Sequence, residues 1–366
     1  MSAGADCVKF QMRDLNSVYR KKSLEKKGED LGTEYIIDLL NKFELTLDEH
    51  FKISSYCAKK NIDYMCTPWD EKSVDTLESF KVNAYKVASA DLTNIPLINK
   101  IIETKKPIIL STGMSLREEI VFTKNLLDKN HAKFILLHCN STYPAPLDDI
   151  KLMWMNDLKK IHPHIGYSGH ERGIYVSLAA AALEACVIER HFTLDRKMEG
   201  PDHSASLEYN DFSRLVSGIR EIERALGDGG ERKLSQGELI NRENLAKSLI
   251  ASKPIKKGTI INKTHIKVRS PGQGLSPQKI NKLIGKKIRR DIDEEDFFYN
   301  SDISKEVRYK QTYNFKRPWG VPVRFHDLNI FNKISNPDLF EFHLSYSDMD
   351  LQLNKYFTKT YKIDFD

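Results

Sequence analysis

Two histidines, His170 and His191, carry the first hint of chemistry. Each stands just past a short apolar run. Ile165 to Tyr167 leads into Ser168-Gly169-His170, and Cys186 to Ile188 leads into Glu189-Arg190-His191. The stretch between them, from about Gly173 to Ala185, is rich in small residues and reads as a helix. Strand, helix, strand places both imidazoles at neighbouring strand ends. In a barrel of parallel strands that rim carries the chemistry. His170 and His191 could face each other there and share a divalent metal ion. The loop that follows, Gly-Pro-Asp-His-Ser, could add Asp202 and His203. Taken alone, a histidine after a strand is more often a loop residue bonded to backbone.

Other strand ends supply a second kind of group. Lys9 and Gln11 lie two apart on an opening apolar run and so point to one side of it. Thr67, Lys86, Ser89, Asp91, Ser111, Thr112, Asn140, Ser141, Tyr143 and Ser168 all fall at or just beyond the ends of similar runs. Lysines with small hydroxyls suit a phosphate, through a point charge and short donors. Ser111-Thr112-Gly113 also suits the start of the next helix, and capping and anion binding use the same free N–H groups. A metal beside an anion cage allows aldol-type addition, phosphoryl transfer or isomerisation. No Walker A loop and no GxGxxG word occurs, which argues against a nucleotide-handling kinase or dehydrogenase.

The elements that must position these groups alternate regularly. Apolar runs read as strands near Val8, Tyr64, Tyr85, Ile108, Ile135, Gly166 and Val187. Helical patterns separate them: Leu47 to Lys60, Glu71 to Phe80, Ile95 to Thr104, Leu116 to Asp128, Lys151 to Ile161 and Ile174 to Ala185. Another, Asn210 to Ala225, follows the last strand. Such alternation predicts a parallel sheet with helices outside it. Seven strands are one short of a closed barrel. The lysine-rich segment from Leu15 to Asn41 reads as a solvated loop and helix. Past the glycines near residue 228 the pattern changes to short β-rich runs at Ser248 to Ala251, Lys253-Pro254, Thr259 to Ile261 and Ile266 to Arg269, interrupted by turns. The expected organisation is an α/β barrel over 1–228, a small β-rich domain over 229–305 and a short aromatic extension over 306–366.

The bulk properties are those of a globular chain: 366 residues, 40% hydrophobic, 30% charged, net charge +6. The positive charge is dispersed, which does not suggest a nucleic-acid partner. No run of about 18 apolar residues suggests a membrane span. The five cysteines have no CxxC spacing and read as free thiols of a reducing compartment, so a cytoplasmic location is expected.

The words GADCVKFQ, YMCTPWDEKSVDTLE, AYKVASADLTNIPLI, KPIILSTGMSLREEI, LLHCNSTYPAPLDDIKLMWM, IGYSGHE, ERHFTLDRKMEGPDHSASLE and PIKKGTIINKTHIKVRSPGQGLSP are spread across roughly residues 3–305. They resemble the sialic acid synthase family, which makes N-acetylneuraminate, legionaminate and pseudaminate. The resemblance implies a TIM barrel followed by an antifreeze-like (SAF) domain. It implies condensation of phosphoenolpyruvate with an N-acetylated amino sugar such as N-acetylmannosamine, in a domain-swapped homodimer. His170 and His191 match the family's Mn²⁺ or Mg²⁺ ligands. Lys86, Ser89, Ser111 and Ser168 match its phosphate cage. Lys9, Gln11, Thr67, Ser141 and Tyr143 match residues around phosphoenolpyruvate and the sugar. Asp91 matches an acidic position that orients substrate or water, Asp202 a sugar-binding carboxylate, and Arg269 an arginine of the small domain that reaches the sugar's N-acetyl group. The family's first strand, a word like IAEIGxNHxG whose glutamate binds the sugar, has no counterpart here. The expectation is therefore a barrel lacking its first strand, read from a truncated chain. Two alternatives stand beside it: a catalytically impaired homologue, and a sugar-phosphate aldolase or isomerase on the same barrel.

Overall fold

The computed structural model describes residues 1–25, 31–200, 202–304, 316–324, 327–334 and 337–342. The chain divides into two compact units, Met1–Glu231 and Arg232–Asp366.

The first unit is built from parallel strands met in sequence order: β1 (Cys7–Met12), β2 (Asp63–Pro68), β3 (Tyr85–Val87), β4 (Ile108–Ser111), β5 (Phe134–Cys139), β6 (Ile165–Gly169) and β7 (Ile188–Arg190). β1 pairs with β2, and β3 to β7 form a continuous five-stranded sheet. β2 packs directly beside β3. Parallel neighbours cannot be joined by tight turns, so helices cross between them. These are α1 (Leu31–Phe43) and α2 (Leu47–Lys59) before β2, then α3 (Glu71–Ser79), α4 (Ile95–Glu103), α5 (Arg117–Lys129), α6 (Trp154–Ile161) and α7 (Tyr175–Ala182), with α8 (Tyr209–Leu226) after β7. The result is an open, curled α/β half-barrel, the fold expected of a (β/α)8 barrel lacking one strand. Among the described residues β1 and β7 each carry a strand ladder on one side only.

Local sequence explains where the helices begin. Thr46 and Glu49 form a reciprocal capping box at α2, Asp70 caps α3 by accepting from Ser73 N, and Asn94 caps α4 ahead of Pro96. The core lies between sheet and helices. Val87, Ile108, Leu110 and Leu136 of the strands meet Leu97, Ile98, Ile101, Ile120, Leu127, Met155 and Leu158 of the helices. β6 (Ile165–Gly169) is buried along its whole length, as a central parallel strand covered on both faces must be. The small residues of α7 permit close approach to α8, where Gly218 leaves room for Leu178.

Two boundaries differ from the sequence expectation. The last strand lies two residues later than Cys186 to Ile188. Cys186 N already bonds Ile165 O and Val187 O already accepts from Tyr167 N, but the ladder continues through the charged Glu189 and Arg190, whose side chains have partners inside. The expected helix from Lys151 begins at Trp154, after a separate turn over Leu147–Ile150.

In the second unit, α9 (Gln236–Leu245) is capped by Ser235 and Glu238, and β8 (Ser248–Ala251) pairs antiparallel with β9 (Ile266–Arg269). Leu249, Ala251, Ile255, Ile261, Leu275, Leu283, Ile288, Ile292 and Phe298 form its core. Of the other β-rich runs, Thr259 to Ile261 makes only an isolated bridge, Ile260 to Lys287, and Lys253-Pro254 lies in no strand. A parallel pair, β10 (Gly320–Val323) and β11 (Leu339–Phe342), follows. Much of the aromatic extension expected over 306–366 lies outside the described residues.

Candidate active site

The C-terminal ends of the parallel strands converge on a charged cluster. Lys86, on β3, is buried; its Nζ donates to Ser111 Oγ at 2.7 Å and to Val87 O at 2.8 Å. Lys9, on β1, reaches Thr67 Oγ1 on β2 at 3.4 Å. Between the two lysines lies Glu189 of β7, 3.4 Å from Lys9 Nζ and 3.8 Å from Lys86 Nζ. Burial alone would raise the Glu189 carboxyl, but Lys86, Lys9 and His191 together draw it down to about 2. Burial pushes Lys86 below the usual lysine range, against the pull of Glu189. The cluster holds two ammonium groups and one carboxylate, a net positive centre of the sign an anionic substrate needs.

Hydroxyls surround it. Ser168 sits on β6 between Cys139 of β5 and Glu189 of β7 in the strand register. Ser89 Oγ accepts from Gly113 N at 3.1 Å. Gly113 is close to both Ser89 and Ser141, and a Cβ there would meet both hydroxyl oxygens. Ser111, Ser168 and Thr67 are buried. Asp91 follows Ser89 in a short 3-10 turn; its Oδ1 accepts from Asn94 at 2.9 Å while Oδ2 is buried without a partner. Burial raises the Asp91 carboxyl, with Asn94 opposing, and raises Asp202 likewise, so both hold a proton more readily than Glu189.

The histidines meet as their spacing suggests. The rings of His170 and His191 lie 5.2 Å apart between centroids, and Tyr143 packs on His170 at 4.1 Å. His170 Nδ1 is 2.6 Å from the Asn140 carbonyl oxygen. A proton on that nitrogen makes the bond and leaves Nε2 free as a ligand, a common second-shell arrangement for a metal-binding imidazole. Burial lowers both imidazoles to about 4, with Lys9 adding to the effect at His191, so both are neutral, the ligating form, near neutral pH. Asp202 Oδ2 is 3.7 Å from His191 Nδ1, whereas His203 turns away to bond Thr193 Oγ1 at 2.7 Å. Among the described residues no group of three or more His, Cys, Asp or Glu gathers as a metal site. Among the described residues the rim thus offers two imidazole nitrogens of the kind that could hold a metal ion.

Of the residues expected at the site, Arg269 alone lies in the second unit, on β9, where its guanidinium is exposed and donates to Val268 O. Sequence reasoning overlooked Glu189, although it lies two residues before His191 and period-two alternation puts both on one face. It also overlooked Arg13, the next residue after Lys9 and Gln11 in the same alternation. Arg190 and Glu171 form a fully buried ion pair at 2.8 Å. The Arg190 guanidinium also donates to Gly173 O and Ser177 Oγ, and Tyr167 OH donates to Glu171. That network fixes the backbone on either side of His170 and His191.

A curled parallel α/β sheet whose strand ends gather lysines, hydroxyls and paired histidines defines a barrel-type enzyme acting on an anionic substrate. Residues 1–231 match the NeuB family, and residues 246–304 match the SAF domain. The chain belongs to the NeuB family of sialic-acid-type synthases and is an enzyme of the transferase kind. It is 40% identical over 301 residues to an N,N'-diacetyllegionaminic acid synthase of Campylobacter jejuni, covering 80% of this chain and 90% of that one. It is 35% identical over 300 residues to the human N-acetylneuraminate-9-phosphate synthase, covering 80% and 83%. Among solved structures it resembles the N-acetylneuraminic acid synthetase of Leptospira borgpetersenii, with TM-score 0.59 and 32% identity over 67% of this chain and 83% of that one.

Proposed function

We propose that the rim of the first unit condenses phosphoenolpyruvate with an N-acetylated amino sugar, giving a nonulosonic acid and phosphate. The observation that carries this reading is the Lys9–Glu189–Lys86 cluster ringed by Ser111, Ser168 and Thr67, a positive and hydroxyl-rich site beside two neutral imidazoles. Lys86 and the serines take the phosphate, and Lys9 with Thr67 takes the carboxylate. A divalent ion, Mn²⁺ or Mg²⁺, held by His170 and His191 would polarise the sugar's aldehyde carbonyl. Phosphoenolpyruvate C3 bonds to that carbon, and positive charge develops at C2. Glu189, held ionised by its two lysines, is a poor base but a fixed negative charge that stabilises the cation. Water then adds at C2, and the C2–O bond to phosphate breaks. Asp91 is an acid of the rim able to hold a proton and exchange it during these steps. Tyr143 packs over His170 and limits where the sugar can lie.

The test is phosphate release from phosphoenolpyruvate with N-acetylmannosamine and Mn²⁺, run in ¹⁸O-water. C–O cleavage puts the label in the keto acid and none in the phosphate. Folded protein that gives neither phosphate nor a nonulosonic acid overturns the reading. An aldol or isomerised product without phosphate release favours the aldolase alternative. A homodimer belongs to the same reading and is checked by sedimentation velocity.

A further inference from the structure

Lys9, Gln11 and Arg13 form one column on β1 (Cys7–Met12) and its continuation. Alternation puts them on the same side, and each step moves about 6.6 Å along the strand direction. Lys9 takes the phosphoenolpyruvate carboxylate in the proposed reading, so Arg13, roughly 13 Å further along the strand, stands where the far end of a bound sugar would fall. Its surroundings are unlike those of the lysines. Arg13 Nη2 donates to Gln11 Oε1 at 2.5 Å, and Trp69 Nε1 donates to the same oxygen at 3.0 Å. The guanidinium lies over the Trp69 ring at 4.8 Å. Glu44 grips the residue twice, at Arg13 N (3.3 Å) and Nε (3.4 Å). The side chain is only 8% exposed, yet Nε is buried without a hydrogen-bond partner and Nη1 makes none among the described residues. Asp70 adds another acid close by, next to Trp69 in the chain and accepting from Asp14 N at 2.7 Å. One buried cation therefore stands beside two carboxyls, Glu44 and Asp70, with Trp69 and Gln11 holding its plane.

We infer that Arg13 determines which acceptor sugar is used: its free Nη1 donates to an uncharged oxygen, a hydroxyl or an amide carbonyl, at the sugar's distal end, and the carboxyls around it reject a phosphate there. A guanidinium held by an aromatic face and a carboxylate is a rigid donor whose charge is already answered. A dianionic substituent would gain little from it and would meet Glu44 and Asp70. The inference rests on the synthase reading and deepens it by naming the acceptor class.

The experiment is calorimetric binding of N-acetylmannosamine and of its 6-phosphate to the full chain in the presence of phosphoenolpyruvate, with KM and kcat beside it. Wild-type protein should bind the uncharged sugar at least about tenfold more tightly than the phosphorylated one. Arg13→Gln should weaken the uncharged sugar by roughly tenfold or more, the scale of one lost hydrogen bond to a charged donor. That loss should fall on acceptor KM, with phosphoenolpyruvate affinity unchanged. Glu44→Gln, which frees the guanidinium's charge, should narrow the preference against the phosphate. Equal or tighter binding of the phosphorylated sugar overturns the inference, as does unchanged acceptor affinity in Arg13→Gln. Wild-type protein that binds phosphoenolpyruvate but neither sugar also overturns it. Failure to bind phosphoenolpyruvate overturns the synthase reading itself, and the acceptor assignment with it.

Discussion

Lys9 stands on the first parallel strand and Glu189 on the last, yet Lys9 Nζ lies 3.4 Å from Glu189 Oε1. No ladder joins those strands among the described residues. The curl of the sheet brings their lumen-facing side chains together, and Lys86 of β3 completes the cluster. A contact between the two ends of the strand series is what turns a row of strand ends into a site.

The first prediction concerns that carboxylate. Glu189 is drawn from the ordinary 4.5 down to about 2, and its side chain is 20% exposed. A carboxyl with a depressed folded value adds stability above the unfolded value and loses it as pH falls through the folded one. The contribution is on the order of 3 kcal/mol, present at pH 7 and lost between about 4.5 and 2. Glu189→Gln should therefore unfold at lower denaturant than wild type at pH 7, because two lysines lose their counter-charge. The gap should shrink as pH falls through that window. Denaturant titrations across pH measure it, and a gap independent of pH would refute the assignment.

Lys86 predicts a second pH effect, with the opposite charge. Burial lowers it from the usual lysine value, so it sheds its proton at lower pH than a free lysine. Phosphoenolpyruvate affinity should weaken as pH rises toward the alkaline side, before the ordinary lysine range is reached. Lys86→Met should bind weakly throughout and lose this pH dependence. Calorimetry with phosphoenolpyruvate alone reads both, and needs no sugar or metal.

The histidine pair predicts a separable loss. His170→Ala or His191→Ala should abolish Mn²⁺ binding, followed by electron paramagnetic resonance of the free ion, and reduce turnover by about a hundredfold or more. Phosphoenolpyruvate binding should persist in both, because the lysine cluster does not need the imidazoles. Removing the ion from wild-type protein with a chelator should reproduce the variants' turnover, and Mn²⁺ should restore the wild type only.

Much of this was legible before the structure. The seven strands were readable because each apolar run is bounded by helices of the right length, and each run's last residues are small or polar. His170 and His191 could be paired from that alternation alone. Glu189 and Arg13 were not singled out because a charged residue at a strand end ordinarily faces solvent, and only the curl of the sheet shows that these two face inward. Arg190 and Glu171 are harder still. Nineteen positions separate them, and a fully buried ion pair is costly unless geometry is excellent, so no sequence pattern announces it. In the second unit, Thr259 to Ile261 looks like a strand, but only Ile261 enters the core, Ile260 is exposed, and the run makes an isolated bridge to Lys287 rather than a ladder.

Gly113 yields the last prediction. It stands just beyond β4, donates its N–H to Ser89 Oγ and leaves space that Ser141 Oγ and Ser89 Oγ fill. An alanine Cβ there would press on Ser141 Oγ and lie 2.8 Å from Ser89 Oγ. Gly113 is not among the positive-φ glycines, so alanine adds no backbone strain. What gives way first is the pair of hydroxyls, which can rotate aside, while the Cys139 carbonyl oxygen, 3.3 Å from the added Cβ, needs only a small shift. Gly113→Ala should therefore melt close to wild type yet bind phosphoenolpyruvate roughly tenfold more weakly, the loss of about one hydrogen bond to a charged ligand. Serine placement is the variable under test, so Ser89→Ala in the Gly113→Ala background should add little further loss. Unchanged phosphoenolpyruvate affinity in Gly113→Ala would remove Ser89 and Ser141 from the anion cage and leave Lys86, Ser111 and Ser168 to form it.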